Sequence, residues 1–421
     1  MRIDRQQFIE RVQCKSDDLV ALCVKLVRIN SENPPGDTGA IVGTIEEVLG
    51  GLPGINLERV TASPPCTNLL ARLSGGGPGR RLVLNGHLDT FPIGDPSSWT
   101  VPPLGGAIAD GRIYGRGASD MKAGLAVAIM TAVVLAEIRE HLAGELVLAC
   151  VADEETGGRW GTKYLLDNVD YASGDAMLSG DAGSPHVLRF GEKGQVWLEL
   201  VAQGVSNHGA HVHLGKNAIE PLIAAIQRIC ELRNRSILIP SAVLAAMADA
   251  RPVSEALSGA GEFDTLRSLT VNIGVINGGQ LVNIIPDRAC ARLDIRFPPG
   301  LTVAEVLGWI DDAIADVHCV DFAVLQAFDP TVTDPTHELA ALVLGNARAL
   351  RGPGVVANMR VGMSDARFYR EHGIPTIVYG PTPNNMGGVD EYVTIEDLVT
   401  VFYVHALTAF DYLSRDHTGR A

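Results

Sequence analysis

The sequence predicts an α/β protein whose mostly parallel sheet is flanked by helices and interrupted by a smaller α+β domain. Apolar runs such as RLVLNG and ELVLACVA end in glycine or acidic residues, as buried parallel strands do, and helical patterns separate them. Beyond Gly194 the strands instead alternate apolar and polar residues, which is typical of half-exposed antiparallel strands. A length of 421 residues agrees with two domains.

The first part of the chain alternates predicted helices and strands, and this alternation favours parallel pairing. In order, we expect helices at about 16–29 and 38–51, strands at about 67–73 and 81–86, a Gly- and Pro-rich loop at 94–118 with a short hairpin, a strongly apolar helix at about 121–139, the strand ELVLACVA, a helix at about 159–167 and the strand AMLSG.

The middle of the chain has a different pattern. Four alternating strands (VWLELVAQG, TVNIGVINGG, ACARLDIRF and VDFAVLQAF) combine with helices at about 216–233 and 302–317, and an Ala-rich stretch up to Leu266 shows no clear pattern. Strands with two helices on one face predict a ferredoxin-like domain, inserted at 195–328. The α/β pattern then resumes with helices near 336–350, 364–372 and 394–414 and the strand PTIVYG, so the catalytic domain is predicted to comprise 1–194 and 329–421.

Composition excludes several classes of partner. The net charge of −15 argues against binding to nucleic acid or to anionic membranes. We expect no membrane span, because no uninterrupted apolar run reaches 18 residues, and no secretory signal, because MRIDRQQFIE is polar. Seven scattered cysteines without a CxxC pair are typical of a reduced, cytoplasmic protein.

Histidine and carboxylate residues follow four of the predicted strands or Gly-rich turns, in the segments Gly86–Asp89, Ser119–Lys122, Asp153–Glu155 and Gly180–Asp181. Ligands of open α/β sheets gather at the carboxyl ends of the strands, and imidazole with carboxylates is a typical ligand set for a divalent transition metal. Each segment alone has a plain structural explanation, such as a helix N-cap for Asp120 or a solvated loop for the acidic triplet. Together the four predict a metal-dependent hydrolase.

Longer motifs give the chain a family resemblance. NGHLDT, DGRIYGRGASDMKAG, DEETGG, GEKG, GKNAIEP, NIIPDRA and SDARFYREHGIPTIVYGP resemble the M20 metallopeptidases and deacylases, which include carboxypeptidase G2, acetylornithine deacetylase, succinyl-diaminopimelate desuccinylase and aminoacylase. The resemblance implies a zinc-exopeptidase-like catalytic domain with an inserted lid and dimerisation domain. It further implies the following roles: His87, Asp120 and Asp181 bind the first metal, and Asp89 orients His87. Asp120 also bridges to a second metal, which Glu155 binds, and Glu154 is the general base.

The same resemblance assigns three residues of the inserted domain. His208 and Asn283 would reach across a homodimer to polarise the substrate carbonyl, and Arg296 would bind a substrate carboxylate. His208 competes for this role with His211 and His213, and is preferred because it lies seven positions before Gly215 of the GKNAI segment, as the family pattern requires.

One departure from the family pattern concerns the second metal. The family places a histidine four residues before the Glu of its Asp-Glu-Tyr segment, where this chain has Gly387 before Glu391. Without that imidazole, two carboxylates and water would hold a transition metal weakly. We therefore expect one tightly bound Zn, Mn or Co ion per chain, at most a weak second site, and open space at Gly387 for a substrate group.

The leading hypothesis is thus hydrolysis of a C–N (amide) bond in a small carboxylate-bearing substrate such as an N-acyl amino acid. Water, deprotonated by Glu154, would attack the carbonyl. An alternative within the class is an aminohydrolase that removes an amine from an unusual or aromatic amino acid with a single metal. An alternative from another class is a non-catalytic small-molecule-binding relative.

Overall fold

A computed structural model describes residues 3–414, which form two compact units. The first unit contains the described residues up to Phe190, Thr333–Asn358 and those from Met363 onward. The second contains Gly191–Val332 and Met359–Gly362.

The strands, numbered along the chain, are β1 Ile55–Ser63, β2 Cys66–Ser74, β3 Gly77–His87, β4 Ala107–Ala109, β5 Arg112–Tyr114, β6 Ala143–Val151, β7 Ala176–Ser179, β8 Val187–Glu192, β9 Gly194–Gln203, β10 Thr270–Gly278, β11 Arg288–Phe297, β12 Val320–Phe328, β13 Thr331–Val332, β14 Val356–Arg360, β15 Thr376–Val378 and β16 Tyr392–Thr394. The helices are α1 Arg5–Cys14, α2 Ser16–Val27, α3 Gly39–Leu49, α4 Ala123–Ala136, α5 Thr162–Asn168, α6 Ile219–Glu231, α7 Ser241–Ser258, α8 Glu262–Arg267, α9 Val303–Ile314, α10 Glu338–Arg351, α11 Ala366–Glu371 and α12 Ile395–Leu413.

A nine-stranded sheet with the order β1-β2-β6-β3-β7-β15-β8-β13, to which β14 adds through β8, confirms the predicted α/β class. The four central strands β6, β3, β7 and β15 pair in parallel, whereas β1 with β2, β2 with β6, β15 with β8 and β8 with β13 pair antiparallel. The sheet is therefore mixed rather than mostly parallel. The reason at one edge is the two-residue connection Pro64–Pro65 between β1 and β2, which is too short for a parallel crossover.

Helix α4 packs inside the first unit, against α2 and α12, and nearly every one of its side chains is buried. By length and composition the segment Ala118–Ala136, with a mean hydropathy of 1.6, is the one helical stretch in residues 3–414 that could cross a membrane. Because 89% of it is buried inside the protein, its apolar composition is explained by its place in the core.

In the second unit, four antiparallel strands in the order β10-β11-β9-β12 carry α6 and α9 on one face. The core of this unit is built from the inward residues of β9 and β11, from Leu222 and Ile229 of α6 and from Val306 and Ile310 of α9. The other face of the sheet is partly open to solvent, as Trp197 on β9 shows with 40% exposure. These features agree with the α+β pattern expected for this part of the chain.

The Ala-rich stretch up to Leu266, which has no clear sequence pattern, is helical. It forms α7 and α8, and α7 buries Val243, Met247, Ala250 and Ser254 at helical spacing. The stripe was hard to recognise because two of its four residues are small or polar, and because Pro252 inside a helix is normally read as a break.

Candidate metal centre and active site

Three neighbouring strands of the central sheet bring the predicted site residues to one edge. β3 pairs in parallel with β6 on one side and with β7 on the other. His87 ends β3, the segment Asp153–Glu155 follows β6, and Asp181 follows β7. Since the strands run in the same direction, their carboxyl ends meet, and residues distant in sequence become neighbours.

Asp120 reaches the same edge from the turn Ala118–Lys122, which precedes α4. Its φ and ψ angles of −130° and 98° are not helical, and the N-cap of α4 is Lys122, so Asp120 is not a helix cap. The start of α4 approaches the end of β7 closely because Gly124 and Gly180 face each other, and a Cβ atom at Gly124 would collide with the carbonyl oxygen of Gly180. The two glycines thus allow the turn that carries Asp120 to lie beside Asp181.

The ring of His87 is almost completely buried and held at both nitrogens. Its Nδ1 lies 2.9 Å from the backbone carbonyl oxygen of Asp89, which can only accept, so Nδ1 carries the hydrogen. Nε2 lies 3.1 Å from a carboxylate oxygen of Asp120. Burial by itself would lower the pKa of His87, but the hydrogen bond and charge of Asp120, with further acids, raise that pKa well above its usual value.

His87, Asp120 and Asp181 form a cluster in which one ligand atom from each residue lies within 4.8 Å of the others. Within residues 3–414 it is the one group of three or more histidine, cysteine or acidic side chains with this geometry. One imidazole and two carboxylates fit a divalent transition metal in their donor chemistry. These three residues are the ones for which the family resemblance implies the first metal site.

Asp89 contributes more than the orientation of His87. Its fully buried carboxylate lies 3.6 Å from Nδ1 of His87, whereas the backbone carbonyl oxygen of Asp89 lies closer to the same atom, at 2.9 Å. The same carboxylate accepts the backbone N–H groups of Glu154 and Glu155, both at 3.2 Å, and the side-chain amide of Asn33 at 2.8 Å. Asp89 therefore ties the end of β3 to the acidic turn after β6.

Within that turn the three acids have different surroundings. Asp153 has a left-handed φ of 74°, and its carboxylate accepts hydrogen bonds from the Thr156 hydroxyl and from the Trp160 N–H, so it shapes the turn. Glu154 and Glu155 start a short 3₁₀ turn with half-buried side chains. Among the described residues, the Glu155 Oε1 atom has no hydrogen-bond partner although it is buried.

Both glutamates of the turn, Glu154 and Glu155, lie where a negative charge is unfavourable unless a positive charge is nearby. Burial raises the pKa of Glu154 well above its usual value, and Asp365, Asp181 and Asp120 add to this while the charge of His87 opposes it. Burial, followed by the charge of Asp120, raises the pKa of Glu155 to about 10. A cluster of carboxylates with raised pKa values beside a buried imidazole is the environment that a divalent cation stabilises.

Gly387 occupies the position of the missing family histidine. It has a left-handed φ of 71°, and the three atoms nearest to a Cβ atom there belong to the Phe91 ring, the first of them 3.5 Å away. Two described histidines of this part of the chain have different partners. Nδ1 of His372, at the end of α11, contacts the Phe368 carbonyl, and Nε2 of His405, inside α12, contacts the Tyr379 carbonyl.

The remaining three predicted residues belong to the second unit. The structure brings His208 and Asn283 together, because His208 and Ile284 form an isolated β-bridge and the N–H of Gly209 donates to the carbonyl of Asn283 at 2.7 Å. His208 is exposed, and its Nδ1 accepts the N–H of Ala210 at 3.1 Å.

Arg296 lies near the end of β11. Its Nε donates to the Asp294 carboxylate at 3.1 Å, and its Nη1 donates to the Val361 carbonyl at 3.0 Å. The other candidates for the site (His87, Asp89, Asp120, Glu154, Glu155, Asp181 and Gly387) all belong to the first unit.

Sequence reasoning missed several residues that shape the site. Asn33 donates to Asp89 and to the Thr156 hydroxyl at 3.0 Å, and Asp365 accepts from the Thr162 hydroxyl at 2.6 Å while its charge raises the pKa of Glu154. The motifs SENPPGD and SDARF contain these residues, but nothing in one sequence shows which carboxylate their side chains approach. Glu391 was noticed only as a marker for the absent histidine.

Known proteins are similar to this chain in sequence and in fold. The chain is 32% identical over 398 residues to the succinyl-diaminopimelate desuccinylase of Rhodospirillum centenum, which covers 92% of this chain and 95% of that protein. The structure is similar to the M20 family metallo-carboxypeptidase Sso-CP2 from Sulfolobus solfataricus, with a TM-score of 0.76 and 18% identity over 94% of this chain and 99% of the other.

A further similar structure is the Bacillus subtilis YXEP protein, a dinuclear metal-binding peptidase of the M20 family, with a TM-score of 0.64 and 14% identity over 94% and 98% of the two chains. At these identities the likeness to solved structures shows the fold. Residues 83–411 match the sequence profile of one family. The chain belongs to peptidase family M20/M25/M40, and it is a hydrolase of C–N bonds that depends on a divalent metal.

Proposed function

We propose that this protein hydrolyses the amide bond of an N-acyl amino acid, a small substrate that carries a carboxylate. The observation that carries the proposal is Glu154, whose pKa is raised beside the cluster of His87, Asp120 and Asp181. A base at such a position accepts a proton most effectively when its pKa lies near the working pH. The substrate class is supported by the desuccinylase of Rhodospirillum centenum at 32% identity.

His87, Asp120 and Asp181 would hold the metal, with Asp89 fixing the tautomer of His87 through its backbone carbonyl. A bound divalent ion supplies Lewis acidity, which lowers the pKa of water and polarises a carbonyl. Glu154 accepts the proton of the attacking water and then delivers it to the departing nitrogen. The two N–H bonds to Asp89 keep Glu154 in place for both transfers.

The general-base role is tested with Glu154→Gln, which conserves size but cannot take the proton. Turnover of N-succinyl and N-acetyl amino acids should fall on the order of 10²–10⁴-fold, the usual effect of losing a general base. Metal content should stay near that of the wild type, as measured by elemental analysis after dialysis. Activity within a few-fold of the wild type would instead place the base elsewhere, with Glu155 as the next candidate.

A second candidate function is removal of an amine from an aromatic or otherwise unusual amino acid. It is favoured by the surroundings of Gly387, where the 36% exposed Phe91 ring borders space that a histidine side chain would fill. An aromatic substrate would find an apolar surface there. Aminobenzoates screened beside N-acyl amino acids distinguish the two candidates, because only the second predicts release of ammonia from an aromatic amine.

We further propose that each chain holds one tightly bound Zn, Mn or Co ion, because Gly387 offers no side-chain ligand for a second. Elemental analysis of dialysed wild-type protein is expected to give about one equivalent, in keeping with the weak hold of two carboxylates without imidazole. Two equivalents that survive dialysis would contradict this.

We also propose that the protein is cytoplasmic, because all seven cysteines are free thiols.

We also propose a homodimer formed through the second unit, in which His208 and Asn283 polarise the substrate carbonyl of the partner subunit's site and Arg296 binds the substrate carboxylate. Support comes from the edge strand β10 and the loop after it, which expose Ile276 and Leu281 by 56% and 63%. An apolar edge strand of this kind is prone to pair with a second copy.

Complementation tests the arrangement. His208→Ala and Glu154→Gln chains, each inactive alone, are mixed and allowed to exchange subunits, with exchange followed through two different affinity tags. If His208 acts across the dimer, each mixed dimer contains one intact site and recovers about half of the wild-type activity, as expected for a two-fold symmetric assembly. Proven exchange without recovered activity would show that His208 acts within its own chain or not at all.

A further inference from the structure

Glu391 is a buried carboxylate that binds the loop carrying Asp120. It is only 1% exposed, and both of its oxygens are used. Oε2 accepts from Nη1 of Arg116 at 2.7 Å and from the N–H of Gly117 at 3.1 Å. Oε1 accepts from the N–H and the hydroxyl of Ser119, at 2.9 and 3.0 Å, and from the N–H of Asp120 itself at 3.2 Å.

These bonds replace regular structure that the loop lacks. The helix α4 begins only at Ala123, and Asp120 has non-helical backbone angles, so no helical ladder fixes the backbone of Asp120. Buried N–H groups must find acceptors, and the carboxylate of Glu391 accepts three of them, from Gly117, Ser119 and Asp120. One carboxylate therefore sets the position of the Asp120 backbone from which the ligand side chain extends.

Glu391 is itself well anchored. The next residue begins β16, which pairs with β5 so that Tyr392 lies opposite Tyr114. Arg116 adds a second link, because its Nη2 donates to the carbonyl of Gly387 at 3.1 Å while its Nη1 binds Glu391. The segment 387–391 is thus bound at both of its ends to residues 116–120, which we call the Asp120 loop.

We propose that Glu391 is a positioning residue for the metal ligand Asp120, and that Arg116 and the carbonyl of Gly387 support Glu391 in this role. This inference rests on the proposed role of Asp120 in the first site, and it makes no assumption about the substrate. An oriented carboxylate that fixes a ligand through hydrogen bonds typically changes metal affinity by about 10–100-fold when it is lost.

The plain alternative is that Glu391 only stabilises the fold, as a buried partner of Arg116. A buried pair is costly to break, so loss of stability alone would not distinguish the two explanations. Metal affinity does distinguish them, because a purely structural residue would lower the melting temperature without changing how tightly the folded protein holds its ion.

The test compares Glu391→Gln with Asp390→Asn in the full-length chain. Asp390 is the adjacent acid, and its carboxylate accepts from the N–H and the hydroxyl of Thr100 at 2.8 and 2.9 Å, outside the Asp120 loop, so it is a matched control. For each metal-free protein, the dissociation constant for Zn²⁺ is measured by competition with a chromophoric chelator, and the melting temperature is measured with and without Zn²⁺.

We expect Glu391→Gln to weaken the first Zn²⁺ ion by about 10–100-fold and Asp390→Asn to leave it within about two-fold of the wild type. Ser119→Ala, which removes the hydroxyl donor and keeps every backbone bond, should give a smaller weakening in the same direction. It supplies the decisive measurement if Glu391→Gln does not fold. Equal affinities in all four proteins would overturn the proposal, whatever happens to the melting temperature.

The readout also separates this inference from the proposed function. Zn²⁺ affinity is measured without substrate, so a failure to hydrolyse N-acyl amino acids would leave the result intact. Conversely, unchanged affinity in Glu391→Gln would refute the positioning role even in a fully active deacylase.

Discussion

Replacing Gly387 with histidine should create a second metal site, and the structure allows the cost to be worked out. A Cβ atom at position 387 would lie 3.5–3.8 Å from three atoms of the Phe91 ring, which is ordinary van der Waals contact. The backbone is the main cost, because a φ of 71° is left-handed and disfavours a side chain by about 1–2 kcal/mol. We therefore expect Gly387→His to fold, with a free energy of unfolding lower by about 1 kcal/mol without metal.

The substitution should strengthen metal binding at the second site, because it adds an imidazole ligand to the carboxylates of Asp120 and Glu155. Adding a nitrogen ligand to two carboxylates should tighten the second ion at least about ten-fold, equivalent to about 1.4 kcal/mol. The buried and unpartnered Oε1 atom of Glu155 among the described residues is consistent with a carboxylate ready to bind a cation. Stability measured with excess metal should then recover the loss caused by the backbone.

Gly387→Ala is the matched control, since it carries the same backbone strain without a ligand. Both variants and the wild type are loaded with Zn²⁺, dialysed and assayed by elemental analysis. We expect about one equivalent in the wild type and in Gly387→Ala, and close to two in Gly387→His. Equal metal content in the two variants would refute the reasoning, because the missing imidazole would then not be what limits the second site.

Two further predictions concern stability. Burial lowers the pKa of His405 to about 4, so below its ordinary pKa of 6.5 the unfolded chain takes up a proton before the folded one does. The free energy of unfolding should therefore fall by about 3 kcal/mol between pH 6.5 and 4. His405→Gln, which can still donate to the Tyr379 carbonyl, should flatten this dependence on pH when unfolding in urea is measured across the range. The same pH dependence in the variant and the wild type would contradict the prediction. Removing metal with a chelator should lower the melting temperature reversibly, because His87, Asp120 and Asp181 are brought together without a compensating cation. At a metal concentration 100-fold above the dissociation constant the difference is about 2.7 kcal/mol, and an unchanged melting curve would speak against a metal in this cluster.

The sequence was sufficient to predict that His87, Asp120 and Asp181 would lie close together. The apolar runs RLVLNG, ELVLACVA and AMLSG are strong signals, because a buried strand has few alternatives, and the side chains that follow parallel neighbouring strands meet at one sheet edge. The antiparallel flanks of the sheet were not predicted, since pairing direction depends on the lengths of the connections, and one sequence does not show exactly where each strand ends.

What one sequence does not contain is the choice of hydrogen-bond partner. Asp89 was expected to bind the His87 ring, but the backbone carbonyl of Asp89 lies closer, and its carboxylate binds the acidic turn as well. Glu391 is similar, because its role depends on a contact across more than 270 positions of the chain with the loop before α4. Such contacts leave no periodic pattern, so only the folded arrangement shows them.

The position of Glu391 near the end of the chain has a consequence for biosynthesis. The site draws on positions from 87 to 181, and the carboxylate that holds the Asp120 loop comes at position 391, after the second unit has been completed. A chain emerging from the ribosome carries its three candidate ligands long before the residue that fixes one of them. Non-local contacts of this kind form late in folding. We therefore expect metal loading to follow synthesis of almost the whole chain, so that a nascent or C-terminally shortened polypeptide competes poorly for scarce ions.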